Sequence, residues 1–157
     1  MVLVVNLIVS GGMNIKENNM KKIILLQGPP ACGKSTYARK LHAEDNTKVI
    51  VSRDNIRASR GDYWIPSQEK YISEIEEFSV VSALQNGLTP IVDATNLNPM
   101  TITKWEAVAE LNDAELEIVK LEIPKLAEAL VRDMNRERPV GEKVLRNFYE
   151  RYCPDYL

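Results

Sequence analysis

At 157 residues, 45% hydrophobic and 27% charged, the chain suits a single globular domain with one core. Its 20 Lys and Arg nearly balance 22 Asp and Glu, which excludes a surface coated in positive charge for gripping long nucleic acid. A small basic patch that recognises a nucleic-acid end stays open. Two cysteines, Cys32 and Cys153, and one histidine, His42, supply neither a disulfide framework nor a zinc cluster, so a reducing, cytoplasmic setting is expected.

The first ten residues are apolar but too few to span a bilayer, and they lack the positive start of a signal peptide. No membrane association is expected. Residues 1–19 read as a loosely attached N-terminal extension and residues 20–157 as the domain. Residues 23–26 are a continuous apolar run, the pattern of a strand covered on both faces. A glycine-rich turn follows, then a helix from Lys34 to about His42. Residues 49–51 predict a second buried strand. Ser67 is placed to cap a helix whose apolar stripe is Tyr71, Ile75, Phe78 and Val81, and Gly87 closes it. Residues 90–92 predict a third strand. Asn98 before Pro99 predicts a helix start, and that helix runs to about Leu111. Residues 116–123 mix apolar and charged residues as a strand nearer the sheet edge does. A helix from Pro124 to near Asn135, an Arg-rich connection to Gly141 and a last helix to about Tyr152 complete the chain. Strands alternating with helices predict an α/β doubly wound sheet.

Gly28, Pro29, Pro30, Ala31, Cys32, Gly33, Lys34 and Ser35 fit the spacing G-x-x-x-x-G-K-[ST] between a predicted strand and a predicted helix. Glycines let the backbone wrap phosphate oxygens, and the amides of a helix N-terminus face the anion. Residues 28–36, through Thr36, are therefore expected to bind ATP, with Lys34 on the β- and γ-phosphates and Ser35 on Mg²⁺.

In open α/β sheets ligands bind beyond the carboxyl ends of the strands. Two further strands deliver polar clusters there, residues 52–57 and residues 93–98. Asp54 and Arg57 lie three apart, so one helical turn puts them on one face. Asp54 reads either as a base for an acceptor hydroxyl or as a helix cap. Asp93 reads as a carboxylate for Mg²⁺ or its water beside Ser35, or as a turn-stabilising residue. Arg132, Arg136 and Arg138 read as a closing lid, or as a solvated helix end. Tyr63 and Trp64 read as base-stacking side chains or as ordinary packing. Arg53, Arg57 and Arg60 converging on the crevice would favour a polyanionic acceptor.

The segments KKIILLQGPPACGKST, SRDNIR, DATNLNP and VRDMNRERPVGEKVLRNFYE, in that order, resemble the 5′-hydroxyl kinase domain of phage-type polynucleotide kinases. The resemblance covers about 20–152. It implies a P-loop kinase fold: a four-stranded parallel sheet in the order second, third, first, fourth, with helices on both faces and an arginine-bearing lid. It also implies ATP and Mg²⁺, a 5′-hydroxyl end of RNA or DNA as acceptor, Asp54 as general base, and Arg57 on the acceptor's phosphate. Arg136 is implied on the donor phosphates, with Arg132 one turn earlier, and Thr95 and Asn96 on the acceptor side. Among the departures from the family, the aspartate of the DATN segment falls one residue early, and residues 58–68 follow no pattern of the family. A kinase of a small hydroxyl compound (a sugar, nucleoside or antibiotic) and a non-catalytic ATP-binding switch are the competing expectations.

Overall fold

The computed structural model describes residues 3–7 and 20–157. Its five strands are β1 (Leu3–Leu7), β2 (Lys21–Gln27), β3 (Lys48–Ser52), β4 (Thr89–Asp93) and β5 (Ala114–Lys120). The helices are α1 (Lys34–Glu44), α2 (Arg53–Ala58), α3 (Glu69–Gln85), α4 (Pro99–Leu111), α5 (Leu126–Met134) and α6 (Glu142–Tyr152). They form one sheet in the order β1-β5-β2-β4-β3.

The four strands β3-β4-β2-β5 are parallel, in the order expected from the resemblance. The sheet goes one strand further. β1 runs antiparallel along β5, with Leu3 opposite Lys120 and Leu7 opposite Leu116. Part of the stretch read as a loose extension thus covers an edge that would otherwise present unpaired backbone groups.

Strand β2 explains why the sheet is buried on both sides. Successive side chains of a strand point to opposite faces. Ile23 and Leu25 pack with Val80 and Leu84 of α3 and Trp105, Val108 and Ala109 of α4. Ile24 and Leu26 pack on the other face with Ala38 of α1, flanked by Tyr37 and Leu41. A third cluster, Leu126, Ala129, Leu145, Tyr149 and Cys153, joins α5 to α6. The Tyr149 hydroxyl donates to the Pro124 carbonyl at 2.9 Å, which ties α6 to the end of the sheet. Burial pushes that phenol up to about 12, so it stays a donor.

Three local expectations need correction. The buried face of α3 is Ile72, Glu76, Val80, Ala83 and Leu84, not the stripe Tyr71, Ile75, Phe78 and Val81. Tyr71 and Phe78 are exposed, and a buried carboxylate broke the apolar pattern. Ser67 caps nothing: Pro66–Gln68 is a 3₁₀ turn, and α3 starts at Glu69 without a side-chain cap. The helix expected at Pro124 begins at Leu126. Asn98 does cap α4, accepting from the Met100 N–H, with Pro99 at the first helical position. Gly87, at φ 72°, follows α3 in the left-handed conformation that a helix end favours.

Candidate active site

The phosphate loop joins β2 to α1. Gly33 adopts φ 97°, where a side chain is strained, and Ala31 adopts φ 63°. Gly28 is needed for space: a Cβ there would lie 2.5 Å from the Cys32 Sγ. The Gly28 N–H donates to the Thr95 carbonyl at 3.0 Å, fastening the loop to the segment after β4. Lys34 is buried, and its ammonium donates to the carbonyls of Gly28 at 3.0 Å and Pro29 at 2.6 Å. The cation therefore lies across the loop whose amides open towards an anion. Thr36 stands in the first turn of α1 and accepts a 3.4 Å contact from Arg39.

Ser35 answers Asp93. Its hydroxyl donates to Asp93 Oδ2 at 2.7 Å, from the end of β4 next to β2 in the sheet. Burial pushes the Asp93 carboxyl up, while the Ser35 hydrogen bond and the Lys34 charge act in the other direction. The negative charge of Asp54 also acts to push it up.

Asp54 comes from α2, which continues straight from β3. It does not cap this helix; the Ser52 hydroxyl does, accepting from the Asn55 N–H. Asp54 Oδ1 accepts from Arg57 Nη1 at 2.9 Å and from the Tyr63 hydroxyl at 2.7 Å. Its Oδ2 faces Arg136 Nη2 at 3.9 Å. Asp54 and Arg57 thus share a face, as their spacing predicts.

Arg57 is more committed than the sequence suggests. Its Nε and Nη2 donate to the two oxygens of Glu69 at 2.9 and 2.7 Å, a forked pairing. Arg53 donates to Glu69 Oε2 at 2.8 Å and lies 3.5 Å from Glu76 Oε1. The arginines Arg53, Arg57 and Arg60 therefore do not converge as free cations. Arg53 turns to α3, Arg57 bridges Asp54 and Glu69, and Arg60 lies 5.7 Å from the Tyr71 ring. The Arg57 hydrogen bonds hold the Glu69 carboxyl down at about 2, although partial burial opposes this. Burial pushes Glu76 up, and its Oε2 has no hydrogen-bond partner.

The lid is α5, the turn after it and α6. Arg132, Arg136 and Arg138, the three singled out in the sequence, reach three different parts of the crevice. Arg132 Nη1 donates to the Ala31 carbonyl of the phosphate loop at 3.4 Å, Arg136 faces Asp54, and Arg138 lies 5.7 Å from the Tyr63 ring. Asp133, which is buried, shapes the turn by accepting from the N–H groups of Val140 and Gly141 at 3.1 and 2.9 Å.

Thr95 lends its backbone to the loop, as above. Asn96, expected on the acceptor side, is buried, and its amide donates to the carbonyls of Leu26, Val92 and Ala94. It braces β2 against β4 at φ 49°, a conformation Asn tolerates well. Sequence reasoning missed Glu69, Asp133 and the Tyr63–Asp54 bond. Each depends on a partner several residues away across a turn, which no periodicity records.

Among the described residues no three His, Cys, Asp or Glu side chains are grouped to hold a metal. The Ser35–Asp93 pair nevertheless suits Mg²⁺, which in phosphate-loop sites takes one or two hard protein oxygens and completes its shell with phosphates and water. No helix among the described residues is long and apolar enough to cross a membrane.

A lysine loop on a central parallel strand, an acid answering it from the neighbouring strand and a basic helical lid over both are the working parts of P-loop kinases, and the chain is of that class. Within it, the chain belongs to the AAA_33 family, described as an AAA domain, which matches residues 23–154. It is 31% identical over 134 residues to the L-seryl-tRNA(Sec) kinase of Methanococcus maripaludis, covering 83% of this chain and 52% of that protein. It is 26% identical over 157 residues to the putative bifunctional polynucleotide kinase/RNA ligase of Autographa californica nuclear polyhedrosis virus, covering 88% of this chain and 22% of that protein. A solved chain of the Pnkp1/Rnl/Hen1 RNA repair complex superposes with a TM-score of 0.75 at 23% identity, over 92% of this chain and 49% of that one. The chain thus spans about half or less of the length of these relatives.

Proposed function

We propose that the chain transfers the γ-phosphoryl group of ATP to the 5′-hydroxyl end of a polynucleotide. The observation that carries this reading is the position of Asp54. One of its oxygens is anchored by Arg57 and Tyr63, and the other faces the lid arginine in the crevice that the phosphate loop opens into. Such a carboxylate suits a general base for an incoming hydroxyl. The loop amides and Lys34 hold the donor phosphates. Arg132 and Arg136 come down from the lid, and their charge opposes the charge developing on the transferring group. Ser35 and Asp93 would hold Mg²⁺, and the chemistry supplied there is neutralisation of phosphate oxygens. Arg57 carries two N–H groups beyond those given to Asp54 and Glu69, which leaves capacity for an acceptor phosphate. Likeness to the viral kinase/ligase and to the RNA repair complex supports a nucleic-acid acceptor.

A second reading keeps the donor chemistry and changes the acceptor to a hydroxyl carried on a tRNA-borne seryl group. The named relative from Methanococcus maripaludis and the engagement of Arg57 by Glu69 favour it. Labelled ATP with a panel of 5′-OH RNA, 5′-OH DNA, seryl-tRNA, nucleosides and sugars separates the two. The proposal expects label on 5′-OH ends and its loss in Lys34→Ala. Label on seryl-tRNA or on a small compound, with none on 5′-OH ends, overturns it.

A further inference from the structure

Tyr63 lies in the stretch between α2 and the 3₁₀ turn before α3 that matches no family pattern. Its hydroxyl donates to Asp54 Oδ1 at 2.7 Å, and the same oxygen accepts from Arg57 Nη1 at 2.9 Å. Two donors on one oxygen leave that oxygen the poorer proton acceptor and fix the plane of the carboxylate. They turn Oδ2 towards Arg136, 3.9 Å away. The face of the Tyr63 ring in turn carries Arg138 of the lid, 5.7 Å from its centroid. One side chain thereby links the carboxylate, the acceptor-side loop and the lid.

We propose that Tyr63 is a positioning residue for the reaction: it anchors Oδ1 so that Oδ2 alone takes the acceptor proton, and it docks the lid when the carboxylate is so oriented. The proposal rests on the reading of Asp54 as the base. In the step it serves, the acceptor hydroxyl gives its proton to Asp54 Oδ2 and its oxygen forms a bond to the γ-phosphorus. The bond from that phosphorus to the β,γ-bridging oxygen breaks, and its electron pair leaves with ADP. Burial, followed by the bond to Asp54, pushes the Tyr63 phenol up, so it remains a donor at neutral pH.

The test is Tyr63→Phe, which keeps the ring under Arg138 and removes the hydroxyl alone. Loss of a hydrogen bond to a charged group predicts a kcat lower by about 10-fold or more, with the KM for ATP and the melting temperature held. The decisive arm is the double variant. In an Asp54→Asn background, Tyr63→Phe should add no further loss, whereas a residue that merely packs the loop adds its own. Wild-type kcat in Tyr63→Phe, a loss that follows a lowered melting temperature, or full additivity with Asp54→Asn each overturns the proposal. Asp54→Asn turning over at the wild-type rate overturns both it and the reading of Asp54, and that arm reveals which has failed.

Discussion

The crevice is governed by how its charges are paired. Glu69 is the hub: it takes the forked face of Arg57 and one arm of Arg53, and through Arg57 it braces Asp54. Its carboxyl is held down at about 2 in the folded chain, against an ordinary value near 4.5. A depressed carboxyl contributes stability that is present above its unfolded value and is lost as pH falls through the folded one. Glu69→Gln should therefore lower stability most at neutral pH, by on the order of 1–2 kcal/mol for a partly exposed pair, and the melting temperature with it. The gap should close between pH 4.5 and about 2, the window of the shift. Glu76, pushed up by burial, acts with the opposite sign above its ordinary value, but it is present in both proteins and cancels in the difference. Melting curves of both chains from pH 7 to pH 3 measure this, and a gap that widens in acid contradicts it. At this scale the sequence was legible where spacing encodes chemistry. The phosphate loop and the Asp54–Arg57 turn are of that kind. Glu69 and Tyr63 were not legible, because their partners lie 12 and 9 residues back across a turn of irregular shape.

Among the elements, the strands were the most readable part, because apolar runs such as residues 23–26 are what burial on both faces requires. Helix α3 misled because burial of Glu76 displaced an apolar residue from its inner face, while Tyr71 and Phe78 remained outside. Strand β1 was visible only as a short apolar run; its pairing with β5 is a long-range contact that composition does not record. We propose that residues 20–157 carry the donor and acceptor sites by themselves. β1 touches the sheet only at β5, which separates it from the loop-bearing strand β2. A chain beginning at Met20 should keep ATP binding and turnover, while the bared edge of β5 lowers its stability and favours self-association. Steady-state kinetics beside size-exclusion chromatography test this; a folded, monomeric and inactive truncation would refute it.

Taken whole, the molecule brings four separate stretches to one edge of the sheet: the loop after β2, α2 after β3, the segment after β4 and the lid after β5. The parallel order β3-β4-β2-β5 makes this possible, because every one of those strands ends on the same side. Asp54 joins three of the pieces around that edge, touched by α2 through Arg57, by the stretch before α3 through Tyr63 and by the lid through Arg136. The most direct test is single-turnover transfer from labelled ATP to a 5′-OH oligonucleotide by Asp54→Asn. Asparagine keeps one oxygen for Arg57 and Tyr63, and the cap of α2 belongs to Ser52, so the fold should hold. Lys34 and the phosphate loop bond each other and not Asp54, so ATP binding should hold as well. With the base removed, transfer should fall by about 10²–10⁴-fold. Transfer at the wild-type rate, with chemistry shown to be the slow step, would contradict the account.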